Sequence, residues 1–352
     1  MEIEIKKNLA EEMASVREKL VKGYENLKNT GEILVAQTPK TEVWKRDKVT
    51  LYHYTRETKA AIKTPVLISY ALVNRQDMLD LQPDRSLIKH LLDLGMDIYM
   101  LDWGYPGPAE KYLTMDDYIN GYLNDAVDLI REKQGIESVN LMGVCQGGTF
   151  TAIYAAIYPE KVKNLITMVS PIDFATNDGL LFKWAKDMDM DALVDGYGTV
   201  PGEFLNAGFA LLKPMGQASK FQNLLHIMDD PDKLMNFLRM EKWINDSPNQ
   251  AGECYRQFMK DLYQQNKLVK GELVVGEHKV NLKNITMPLL NIYAMEDNLV
   301  PPASTVPLND YVGSKDKELY KFPGGHIGVF VGSRTQKELG PAIEKWFAAR
   351  DK

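Results

Sequence analysis

Gly143-Val144-Cys145-Gln146-Gly147-Gly148 constrains the fold of this chain more than any other stretch. It joins a short apolar run, Val139 to Met142, to an apolar, helix-forming run, Thr149 to Ile157. A nucleophile set between glycines where a strand enters a helix needs a turn so tight that the central residue is strained. Side chains two residues to either side would collide across it, and glycine stands at both places. Serine is the usual occupant of the centre. Cysteine stands here, and that narrows the chemistry.

The sequence around this turn alternates strands with helices. Val49 to Tyr54, Val66 to Tyr70, Ile98 to Leu101, Val139 to Met142 and Leu165 to Val169 read as strands, as do Pro288 to Ala294 and Glu318 to Phe322. Leu87 to Leu94 reads as a helix closed by Gly95, and a terminal helix starts at Pro341 with Trp346 on its apolar side. Short apolar strands separated by helices predict an α/β fold with a mostly parallel sheet covered on both faces. The rhythm breaks between Ser170 and Pro288. That stretch is rich in methionine and aromatic residues, with helical spacing in Lys233 to Ile244, glycine turns at Asp195 to Gly198 and a hairpin near Gly276. The expected organisation is therefore an N-terminal helical segment (1–40), a core (41–170 and 288–352) and an inserted cap (171–287).

Leu9, Met13, Val16, Leu20, Tyr24 and Leu27 form one apolar stripe on the first helix. The expectation is a helix packed on its own domain, with a docking surface for another chain as the alternative. A net charge of −6 argues against a nucleic-acid surface. No run of 18 apolar residues spans a membrane, and the N-terminus lacks the order of a secretory signal, so the chain reads as cytoplasmic. Cys145 and Cys254 are not a disulfide framework, and Cys254 reads as a structural thiol.

A thiol attacks as thiolate, and a free cysteine of pKa ~8.5 is mostly protonated at neutral pH. Cys145 gains from the dipole of the helix it opens, and the next N–H, that of Gln146, is free for an oxyanion. In an α/β-hydrolase type of sheet an acid and then a histidine follow the nucleophile. Of five histidines, His53, His90, His226 and His278 fall in a strand, a helix, the cap and a hairpin tip. His326 sits instead in the glycine loop Pro323-Gly324-Gly325-His326 after the last strand. The acid is Asp297 or Glu296, and adjacency alone does not choose. Val73, after an early strand, is the candidate second oxyanion donor. Asn74 and Arg75 touch a substrate carbonyl or phosphate, or Asn74 merely shapes a turn. No metal site is read from the sequence.

Taken in order, Gly-Val-Cys-Gln-Gly-Gly, Leu-Val-Asn-Arg (72–75), Leu-Asp-Trp-Gly (101–104), Trp243 with Asn245-Asp246, Asp297 with Val300-Pro301, and Gly-Gly-His326 resemble polyhydroxyalkanoate (PHA) synthases. The resemblance runs from about residue 40 to the C-terminus. The length and the short first helix look like the small catalytic subunit of the two-component types, class III rather than class IV.

The resemblance implies an α/β-hydrolase fold and an acyltransferase that polymerises (R)-3-hydroxyacyl-CoA, short-chain such as 3-hydroxybutyryl. Cys145 carries the acyl group as a thioester and releases CoA. His326 removes the thiol proton. Asp297 orients His326 or helps activate the 3-hydroxyl, so that Asp297→Asn spares acylation and slows elongation. Gln146 and Val73 hold the oxyanion, and Asn74 contacts substrate. No cofactor is implied beyond the CoA thioester, which is substrate. The implied partners are the growing polymer, a second dissimilar subunit and a second copy of the chain, at the surface of polymer granules. A thioester suits repeated transfer, because each exchange is between near-equal bonds. The rival is a cysteine-elbow hydrolase like dienelactone hydrolase, which explains the triad but not the insertion. A non-catalytic granule-surface protein explains neither.

Overall fold

The structure, a computed structural model, describes residues 2–212 and 214–351. In chain order its strands are β1 (Lys40–Arg46), β2 (Val49–Tyr54), β3 (Val66–Ser69), β4 (Ile98–Asp102), β5 (Val139–Val144) and β6 (Val162–Met168). Two short pairs follow, β7 (Thr199–Val200) with β8 (Gln250–Ala251) and β9 (Val274–Val275) with β10 (His278–Lys279), before β11 (Leu289–Ala294) and β12 (Lys317–Phe322). Eight strands form one sheet in the order β1-β2-β4-β3-β5-β6-β11-β12. From β4 to β12 every pairing is parallel; β1 and β2 add an antiparallel edge. Every residue of β3, β4 and β5 is buried, as continuous apolar strands covered on both faces must be.

The first four helices are α1 (Glu2–Asn29), α2 (Leu87–Asp93), α3 (Asn124–Gln134) and α4 (Gln146–Ile157). Ser86 caps α2 by accepting from Lys89 N, and Gly95, at φ 88°, turns the chain away at its end. All of α4 but its last residue is buried, which suits a helix that is apolar all round.

Between β6 and β11 the chain leaves the sheet and forms α5 (Leu180–Asp187), α6 (Met190–Tyr197), α7 (Gly202–Leu212), α8 (Pro214–Ile227) and α9 (Pro231–Asn245), then returns through residues 246–288. One expected turn is corrected: Gly196 lies inside α6, and only Gly198, at φ 71°, breaks the chain. Gly276 does turn the β9–β10 hairpin, at φ 58°. The insertion meets the core through aromatic rings. Phe258 meets Phe150 of α4 at 6.0 Å, and within the insertion Phe174 packs on Tyr263 at 4.7 Å.

The expectation that α1 packs on its own domain holds only near its C-terminal end. There Gly23 is buried against Met228, and Asn26 Nδ2 donates to Met228 O at 3.0 Å. The stripe itself faces solvent along its whole length, with Leu9, Met13, Val16 and Tyr24 each more than half exposed. Periodicity defines an apolar face but not what covers it.

Candidate active site

The sheet order reverses at β3, which has β4 on one side and β5 on the other. Ser69 pairs with Gly143, so the two strands end together and their loops part at the carboxyl edge, the place where open α/β sheets bind ligands. Cys145 follows β5, Val73 follows β3, Asp297 follows β11 and His326 follows β12. Four separate loops thus deliver these residues to the same edge of the sheet.

Cys145 occupies the junction of β5 and α4 at φ 54°, ψ −127°, a region L-residues rarely enter. Its N–H donates to Met168 O and its carbonyl accepts from Gly148 N, both at 2.9 Å. The flanking glycines are sterically required. A Cβ on Gly147 would overlap the carbonyls of Ser69 and Tyr70, and one on Gly143 would overlap Thr151 Oγ1 and Gly148 Cα. The thiol remains partly accessible.

His326 Nδ1 lies 2.6 Å from Asp297 Oδ2, and Cys145 is among the groups that act on the ring. Asp297 Oδ1 accepts from Leu299 N at 2.9 Å and Val300 N at 2.8 Å, and its side chain is wholly shielded from solvent. Glu296, beside it, points into solvent. Burial disfavours a charged His326, but the adjacent Asp297 carboxylate and Cys145 sulfur, with their hydrogen bonds, outweigh it and raise its pKa to about 10. The arrangement favours proton movement from sulfur to imidazole, with Asp297 fixing the ring.

Gln146 is the first residue of α4, where the N–H groups of the opening turn have no helical acceptor. Among the described residues neither Gln146 N–H nor Val73 N–H meets an acceptor. Val73 and Cys145 both pack against the core cluster on the same side of the sheet.

The neighbours of Val73 are engaged with protein. Asn74 takes the turn conformation, at φ 59°, and its Oδ1 accepts from Ser247 Oγ at 3.0 Å. Arg75 is held by an ion pair and an aromatic ring. Its Nη1 and Nη2 bind both oxygens of Asp102 at 2.6 and 2.7 Å, and its guanidinium lies 4.6 Å over the Tyr105 ring. Trp243 Nε1 donates to Arg75 O at 2.7 Å, and Tyr105 OH donates to Asp246 at 2.6 Å. The 72–75, 101–105 and 243–246 motifs thus join the insertion to the core.

Sequence reasoning missed Ser247, Gln250 and the second use of Gln146. Gln146 Oε1 accepts from Leu72 N at 3.1 Å, and Gln250 Nε2 donates to Leu72 O at 2.8 Å. These contacts span 74 and 178 residues, and no local pattern signals them. The other histidines lie elsewhere: His53 bonds Asp97 and stacks on Tyr99, while His278 sits beside Tyr158. Cys254 is buried in apolar surroundings that push its thiol pKa far up, leaving it inert. Among the described residues no cluster of His, Cys, Asp and Glu is arranged to hold a metal ion.

Comparison with known proteins decides the family. Residues 64–333 match the alpha/beta hydrolase fold family, and residues 5–91 match the poly-beta-hydroxybutyrate polymerase (PhaC) N-terminus. The chain is 50% identical to the poly(3-hydroxyalkanoate) polymerase subunit PhaC of Allochromatium vinosum, over 97% of both chains. It is 48% identical to the PhaC subunit of Synechocystis sp., over 99% of this chain and 95% of that one. The chain belongs to the poly(3-hydroxyalkanoate) polymerase family.

As a member of that family it is an acyltransferase. Solved structures support the fold alone. A thermophilic esterase from Thermogutta terrifontis superposes with TM-score 0.53 at 15% identity, covering 90% of this chain and 100% of that one. A monoacylglycerol lipase from Paleococcus ferrophilus gives 0.51 at 16% identity, over 85% and 99%. Among the described residues no helix of this polymerase is long and apolar enough to cross a membrane.

Proposed function

We propose that this chain is the catalytic subunit of a class III, two-component synthase, extending a polyester from (R)-3-hydroxyacyl-CoA with short side chains, 3-hydroxybutyryl first among them. The observation that carries the reading is the Cys145–His326–Asp297 chain at the strained turn. His326 takes the Sγ proton, and the thiolate attacks the thioester carbonyl. Main-chain N–H groups of Gln146 and Val73 hold the resulting oxyanion. The C–S bond to CoA breaks, and His326 returns the proton to the leaving sulfur. One thioester has been exchanged for another, so the step is near balance in both directions.

With the Sγ proton handed to CoA, His326 is neutral again. The ring then becomes free to accept a proton from the 3-hydroxyl that attacks next. Asp297 has both oxygens engaged and no solvent exposure, which supports a role through His326 rather than on the hydroxyl itself. The 171–287 insertion serves as the cap that keeps water from the thioester. The exposed stripe of α1 offers a face for the second subunit.

Supplying 3-hydroxybutyryl-CoA and following free thiol and product tests the reading. Polymer with CoA release supports it. Free 3-hydroxybutyrate in its place would make the chain a hydrolase.

A further inference from the structure

We infer that Gln250, a residue of the insertion, is a positioning residue that aims the Val73 N–H at the reacting carbonyl, so that the oxyanion site is complete only when the insertion is seated. The inference rests on the proposed role of Val73. Leu72 C=O and Val73 N–H belong to one peptide unit, and in a planar trans peptide they point in opposite directions. No cis peptide occurs among the described residues. Fixing the carbonyl therefore fixes the N–H.

The carbonyl is fixed from the insertion by Gln250 Nε2 at 2.8 Å. Gln250 is itself 2% exposed and held in β8, where it pairs with Val200. The preceding peptide is fixed from the other side, since Leu72 N donates to Gln146 Oε1. Leu72 packs into the core with Ala251, while Val73 packs on the opposite side with Cys145. Gln146 supplies one proposed oxyanion donor through its main chain and braces the other through its side chain.

Two neighbouring contacts come from the same segment of the insertion but leave this peptide alone. Ser247 reaches Asn74 Oδ1, and Trp243 reaches Arg75 O. They dock the insertion, and Gln250 alone among the three holds the Leu72–Val73 plane. That distinction makes the proposal testable.

The test compares Gln250→Met, Gln250→Glu and Ser247→Ala with the parent chain in its full assembly, using 3-hydroxybutyryl-CoA for turnover and iodoacetamide to alkylate Cys145. Alkylation needs the thiolate but no oxyanion site. Gln250→Met removes the donor at similar volume, and its kcat for CoA release should fall roughly 10- to 100-fold, less than outright loss of a donor. KM and the alkylation rate should stay at parent values. Gln250→Glu should show the same loss at neutral pH and regain turnover as pH falls, since only a protonated carboxyl donates. Ser247→Ala should keep its kcat.

An unchanged kcat in Gln250→Met overturns the inference. So does a loss that appears in KM, a matching loss of alkylation, or an equal fall in Ser247→Ala. If the parent chain releases no CoA at all, the catalytic reading itself fails, independently of Gln250.

Discussion

At the scale of single residues, Asp297 and His326 separate the two roles available to the acid. Asp297 gives Oδ1 to two main-chain amides and Oδ2 to His326, and its side chain is shielded from solvent, which favours action through His326. Asp297→Asn is therefore expected to slow acylation and elongation together, by about 10²- to 10⁴-fold. Rapid-quench labelling of Cys145 checks this; acylation at the parent rate with slow elongation would place Asp297 on the hydroxyl. Glu296→Gln, on an exposed side chain, should leave turnover intact. His326 has a pKa raised above its unfolded value, so its contribution to stability is fully present below pH ~6.5 and is lost as pH rises through about 10. In Cys145→Ala, which lacks one of the raising groups, that loss should move to lower pH in thermal melts followed across the range. The three residues proposed as a triad were legible in the sequence because each sits in a short local pattern: a glycine-flanked cysteine, an acid after a strand, a histidine in a glycine loop. The choice of Asp297 over Glu296 was not legible, since it depends on which of two adjacent side chains turns inward.

At the scale of elements, the turn from β5 into α4 and the helix α1 behave oppositely. Gly147 sits against the carbonyls of Ser69 and Tyr70, backbone that cannot give way. Gly147→Ala should destabilise by about 3 kcal/mol or more, among the large single-residue effects. Gly135→Ala, left-handed at φ 64° but with open space around it, should lose only about 1–2 kcal/mol. Denaturant unfolding of both variants distinguishes crowding from backbone strain. On α1, replacing Leu9, Met13 and Val16 by glutamine should change the stability of the isolated chain by less than about 0.5 kcal/mol each, because these side chains are already in water. A large drop would mean that copies of the chain cover the stripe. The strands of the main sheet, apart from the edge strand β1, and the elements around Cys145 could be read from periodicity. The exposure of α1 could not, because an amphipathic pattern says that a face seeks a partner without saying where the partner is.

At the scale of the whole molecule, the 72–75 loop is held by the insertion at Leu72, Asn74 and Arg75. These partners lie 168 to 178 residues away in sequence. Motif order alone identified the 72–75 and 243–246 segments, and only the fold shows that they are the two halves of one junction. In the proposed mechanism the junction matters because a thioester open to water would be hydrolysed rather than elongated. Cys145 carrying the acyl group is the central step of the proposed mechanism. Intact-protein mass spectrometry after rapid mixing with 3-hydroxybutyryl-CoA reads this directly. The expected result is a covalent acyl adduct on Cys145 that forms as CoA appears, with neither adduct nor CoA in Cys145→Ala; CoA release that continues in that variant would contradict it.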